Sequence, residues 1–142
     1  MQMLSEKEAR QFSPLTLAFL GDSVYELMIR SAMVMQGNTA VKNLHNAKIR
    51  LVCAAYQARA SERIIFTEQE QAVFHRGRNA VSSSAVPKNA VPADYRKATG
   101  LEAVFGYLHL CGNTERLETL FREIWNLQSE IPETNLIKNN KE

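Results

Sequence analysis

The chain reads as an all-α protein, and three observations predict it. Apolar residues recur at helical spacing, as in Leu17, Leu20, Val24 and Leu27, or Leu117, Leu120, Phe121 and Ile124. No segment sustains the alternation of a half-buried strand. Helix-start signals also precede the periodic runs: Ser13-Pro14, Thr67 with Glu70, and Asn113. At 142 residues, 45% hydrophobic and 23% charged, the chain is expected to form one domain with a real core.

Residues 1–12 carry Glu6, Lys7, Glu8 and Arg10, have no apolar run of a secretory leader, and read as an N-terminal extension. The first long helix starts at Ser13-Pro14 and stops at Gln36-Gly37-Asn38, about 23 residues or some 35 Å. Phe19, Leu20, Val24, Tyr25 and Met28 put apolar groups on more than one of its sides. That is more apolar surface than one small core needs, and it predicts a symmetric homodimer. Thr39 can cap a second helix over about 40–60, with Leu44, Ala47, Leu51, Ala54, Ala55 and Ala58 on its buried side. His45 reads as a surface or capping residue.

Residues 61–66 form a short turn or helical extension. Thr67 and Glu70 then make a capping box for a helix to about Arg78. His75, Arg76 and Arg78 cluster near its end, where cations complement the helix dipole or could grip phosphate. Residues 80–92 form the one long loop, with Pro87-Lys88-Asn89; such a loop is functional or a linker. Asp94 begins a helix that ends near Cys111-Gly112, and His109 on it reads as a packing residue. Asn113 caps the last, in which Trp125 reads as a core anchor. A polar tail follows over 129–142.

No run of 18 apolar residues exists, so no membrane span is expected. Cys53 and Cys111 lack metal-type spacing and read as buried free thiols of a reducing, cytoplasmic compartment. Net charge is only +2, yet between Lys42 and Lys97 there are ten Lys/Arg against four Asp/Glu. A basic middle suits a polyanion such as RNA.

Two stretches stand apart. Leu17 to Leu27 sets Asp22 behind Gly21 in an apolar helical run, and Ala98 to Leu108 sets Glu102 between Gly100 and Gly106. A mid-helix glycine costs roughly 1 kcal/mol, and a carboxylate near a buried face costs more unless it is paired. Glycines let helices approach closely. If the Gly21 and Gly106 faces meet, Asp22 and Glu102 converge and need a cation or a shared proton. Mg2+ would answer that need with phosphoryl-transfer chemistry.

Phe19-Leu20-Gly21-Asp22-Ser23-Val24 resembles the signature helix of the ribonuclease III family, and Leu101-Glu102-Ala103 with Gly106 resembles its second acidic motif. His75 to Ala80, Pro87-Lys88-Asn89 and Tyr95-Arg96 are similar to the short group of that family, Mini-ribonuclease III. The resemblance spans about residues 13–128. It implies a single helical endonuclease domain, homodimeric, that cleaves double-stranded RNA with Mg2+ and leaves 5′-phosphate and 3′-hydroxyl ends. Asp22 and Glu102 would be both catalytic and metal-binding. Arg76, Arg78, Asn79, Lys88, Asn89 and Arg96 would bind RNA by A-form shape, since the short group lacks a separate RNA-binding domain. The implied substrate is the terminal stem of the 23S ribosomal RNA precursor. Where the full-length family has two further acids, this chain has Ala18 and Thr99. The alternative is therefore an inactive fold of this family that holds structured RNA without cutting it.

Overall fold

Seven α-helices and two short 3-10 turns make up the described residues, 2–131, of the computed structural model. The helices are α1 (Glu6–Arg10), α2 (Pro14–Met35), α3 (Val41–Val52), α4 (Ala54–Arg63), α5 (Glu68–Ala80), α6 (Pro92–Leu110) and α7 (Thr114–Asn126). The 3-10 turns are Ser83–Ala85 and Leu127–Glu130. The all-α expectation holds. Residues 132–142, most of the predicted polar tail, lie outside the described residues.

The central element is α6. Ala98 to Leu101 and Ala103 to Leu108 are all buried, so the helix is apolar around most of its circumference. Three helices, α2, α4 and α5, pack directly around it. Glycine sets the spacing. A Cβ on Gly21 would stand 1.6 Å from the Glu102 carbonyl oxygen, and one on Gly106 would stand 2.0 Å from that of Leu17. Backbone therefore touches backbone where α2 crosses α6. Against α5, a Cβ on Gly100 would meet the Phe74 carbonyl at 2.7 Å.

Capping follows the sequence in full at two ends and in part at a third. Thr67 and Glu70 form their reciprocal box and Asn113 accepts from the Arg116 amide, while at α2 Pro14 opens the helix but Ser13 makes no side-chain cap. Glu70 also takes the Arg116 guanidinium on both carboxylate oxygens at 2.9 Å, which joins α5 to α7. The first residues are not detached: Ser5 and Glu8 cap α1, and the Leu4 amide donates to the Leu110 carbonyl.

Several boundaries differ from the sequence reading. The predicted helix over 40–60 breaks at Cys53, whose extended backbone separates α3 from α4. The carbonyls that the break frees are satisfied by side chains: Tyr25 Oη donates to Leu51 at 2.6 Å and Gln57 Nε2 to Val52 at 3.0 Å. Ala40 precedes α3 without a side-chain cap, so Thr39 does not serve as one. Ala55 is exposed, and so is Cys53, contrary to its expected burial; Cys111 is half-buried. The break rotates α4 relative to α3, which moves both residues off the continuous face that one helix would have made. Pro92 rather than Asp94 opens α6, as the fixed φ of proline allows. Trp125 is half-buried against the core, while Leu117, Leu120 and Ile124 are buried.

Candidate active site

The close crossing of α2 and α6 decides where the two carboxylates go. Gly21 and Gly106 bring the backbones together, and Asp22 and Glu102, beside the point of contact, line one cleft of about 310 Å³. Leu15, Ala18 and Phe19 of α2 form its apolar lip. Ala80 at the end of α5, with Val81, Ser82 and Ala85 after it, forms the facing wall. Tyr95 and Thr99 complete the α6 side, two turns and one turn before Glu102 respectively. Asp22 is exposed and Glu102 is half-buried.

Their proximity has an electrostatic signature. Burial of the Glu102 carboxyl, the negative charge of Asp22 and a hydrogen bond between the two raise Glu102 from 4.5 to about 8. At neutral pH the pair thus favours a shared proton, with Glu102 donating to the Asp22 carboxylate. A divalent cation can replace that proton. The residues fit Mg2+, which takes one or two carboxylates and fills its octahedron with water and substrate oxygens. Among the described residues no group of three or more His, Cys, Asp or Glu gathers at one point. Ala18 and Thr99 line the cleft as neutral residues.

The other predicted site residues fall outside the cleft lining. Arg76 donates to the Arg10 carbonyl at 2.8 Å and to that of Phe12 at 3.3 Å, so its fork holds the α1–α2 junction. Arg78 lies over the Phe74 ring at 5.9 Å. Asn79, Lys88 and Asn89 are exposed, the last two in the loop before α6. Arg96 is half-buried and reaches the Val81 carbonyl and Ser83 Oγ, both at 3.5 Å. Glu26 pairs with Arg30 at 3.5 Å, as expected, but more closely with Lys48 of α3 at 2.8 Å. That pair draws the Glu26 carboxyl below its ordinary value and keeps it from serving as a spare ligand.

Sequence reasoning missed Tyr95 and Ser82 as lining residues. The signal for Tyr95 was present: 95, 99 and 102 fall on one stripe of a helix. Ser82 gave no such signal, because its place depends on how the chain leaves α5.

The ribonuclease III domain family matches residues 15–113. The Mini-ribonuclease 3 of Symbiobacterium thermophilum is 45% identical over 111 residues, 77% of this chain and 85% of that protein. The Mini-ribonuclease 3 of Thermoanaerobacter sp. is 41% identical over 121 residues, 84% of each chain. A crystal structure of a Fusobacterium nucleatum protein superposes with a TM-score of 0.72 at 30% identity, covering 80% of this chain and 93% of that one. Matched in sequence and in helical architecture over most of its length, the chain belongs to the ribonuclease III family, in its short Mini-ribonuclease 3 group.

Proposed function

We propose that the protein is a Mg2+-dependent endoribonuclease that cleaves double-stranded RNA and matures the ends of the 23S ribosomal RNA precursor. The observation that carries the reading is the Asp22–Glu102 pair, two carboxyl groups in one cleft, where burial and the neighbouring Asp22 raise Glu102 to about 8. Family membership supports enzymatic activity of this class. When bound, Mg2+ supplies Lewis acidity toward the phosphate and a nucleophilic water at neutral pH. Asp22 and Glu102 would hold it, with Leu15 and Phe19 giving the cleft an apolar edge. Hydrolysis leaves 5′-phosphate and 3′-hydroxyl ends.

The protein acts as a homodimer, which sets one cleft against each strand of the duplex. The exposed apolar stripe of α2 supports this: Phe19 is 82% exposed, Leu27 66% and Met35 85%. RNA is gripped outside the cleft, by Arg78, Asn79, Lys88 and Asn89, with Arg76 and Arg96 each also holding backbone of their own chain. No described helix is long and apolar enough to cross a membrane. A cytoplasmic location goes with the proposed ribosomal RNA substrate.

Asp22→Asn and Glu102→Gln keep shape but remove the charge a metal needs. Single-turnover cleavage of a duplex RNA should fall on the order of 10²-fold or more in each, at roughly 1.4 kcal/mol per tenfold. Duplex affinity, measured in Ca2+, should change far less. The gathering of only two acids at the site favours one other reading, an inactive module that holds RNA. Wild-type protein that binds duplex but leaves it intact at every Mg2+ concentration would establish that reading instead.

A further inference from the structure

None of the residues that line the cleft is Lys or Arg. A substrate phosphate entering it meets the Asp22–Glu102 acid pair and otherwise neutral groups. Neutral donors on the walls can help to orient that phosphate without adding a charge that competes with the cation. Three lining side chains carry hydroxyls: Ser82, Tyr95 and Thr99. Thr99 Oγ1 donates back to the Tyr95 carbonyl at 3.0 Å, which engages its proton inside α6. Ser82 Oγ lies 3.2 Å from Ser84 Oγ. The Tyr95 hydroxyl alone has no hydrogen-bond partner among the described residues.

Tyr95 lines the same cleft as the two carboxyl groups, two turns of α6 before Glu102. It shares one stripe of α6 with Thr99 and Glu102. Arg96, the next residue, ties the helix to Val81 and Ser83 of the facing wall. A phenol is also the right kind of donor for this place. It is neutral, so it approaches a phosphate without competing with a cation for Asp22 and Glu102, as a lysine would.

We propose that Tyr95 is a catalytic hydrogen-bond donor, its hydroxyl donating to a non-bridging oxygen of the scissile phosphate. The proposal rests on the endonuclease reading above. Tyr95 forms no covalent bond and keeps its proton. Its contribution grows as negative charge builds on the phosphate oxygens toward the transition state.

Tyr95→Phe tests this, since it preserves the ring and removes only the O–H. Single-turnover cleavage at saturating Mg2+ should fall on the order of tenfold or more. Duplex affinity in Ca2+, the Mg2+ midpoint and the thermal melt should stay close to wild type. Cleavage within about twofold of wild type overturns the proposal. A loss of duplex affinity as large as the loss of rate also overturns it, because the hydroxyl would then act in binding rather than in chemistry. Asp22→Asn, run in parallel, separates the two readings. If it cuts at the wild-type rate, the endonuclease site itself is misplaced; if it is inactive while Tyr95→Phe is unimpaired, only the tyrosine assignment fails.

Discussion

The two faces of α2 obey opposite rules. On the buried face, Gly21 removes a side chain so that backbone meets backbone, with Leu17, Tyr25, Ile29 and Met33 packed along the same helix. On the exposed face, Leu15, Phe19, Leu27 and Met35 present large apolar groups to solvent. The buried face positions chemistry, because the tight crossing leaves Asp22 and Glu102 no choice but to share a cleft. The exposed face contributes little to the monomer core and is the surface proposed for assembly. In this molecule a missing side chain builds the candidate site, and surplus side chains supply the proposed seam.

The largest expected effect comes from adding one methyl to the first face. Gly21→Ala places a Cβ 1.6 Å from the Glu102 carbonyl oxygen, and the obstruction is backbone that cannot rotate away. Overpacking usually costs 1–3 kcal/mol, so about 3 kcal/mol or more is expected here despite the gain in helix propensity. Thermal melting measures it. A variant that melts within a degree or two of wild type would mean that α2 and α6 are not in backbone contact, and the contrast between the faces would collapse.

That crossing was legible in the sequence because glycine beside a carboxylate in an apolar helix is costly at two places at once, Gly21-Asp22 and Glu102 with Gly106. The caps were legible for a similar reason, since Thr67 with Glu70 and Asn113 act within four residues of chain. The inward face of α2 was less so. Leu27 and Ser31, which continue the apparent stripe from Leu17, are exposed. The buried residues instead step by four, as in Gly21, Tyr25, Ile29 and Met33, and so wind around the helix. The N-terminal half faces α6 while the other half turns toward α3, where Tyr25 reaches Leu51 and Glu26 reaches Lys48. A single helical period assumes one partner, and α2 has two. The break at Cys53 was hidden for the opposite reason: the carbonyls it frees are satisfied by Tyr25, 26 residues before Leu51, and by Gln57.

The second face can be weakened without touching the backbone crossing, though Phe19 also belongs to the lip of the cleft. Phe19→Ala removes the ring that is 82% exposed and leaves the core intact, so the monomer melt should barely move. A two-fold seam counts each change twice. Loss of a central aromatic at an interface commonly costs about 2 kcal/mol or more, and the dimer constant should weaken by at least an order of magnitude. Sedimentation or light scattering across a concentration series reads this directly. A wild-type chain that stays a 16.0 kDa monomer at micromolar concentration would remove the seam from the account.

A smaller effect distinguishes the first face by its proton. Glu102 is raised from 4.5 to about 8 by burial and by Asp22. The folded protein therefore holds a proton there that the unfolded chain has released. That contribution to stability is complete below about pH 4.5, and it is lost as pH rises through about 8. Between those limits the unfolded state binds fewer protons than the folded one, so the slope of stability against pH is negative. Glu102 is half-buried and coupled to Asp22, so solvent screening reduces the amplitude to about 1–2 kcal/mol over the window. Urea unfolding in EDTA at several values from pH 5 to 8 should show this decline in wild type and a flatter curve in Glu102→Gln. Saturating Mg2+ should oppose the decline in wild type, because its ligands must be deprotonated and its apparent affinity rises with pH. Equal slopes in wild type and Glu102→Gln would show that no proton is held between the helices, and that the two carboxylates stand apart in solution.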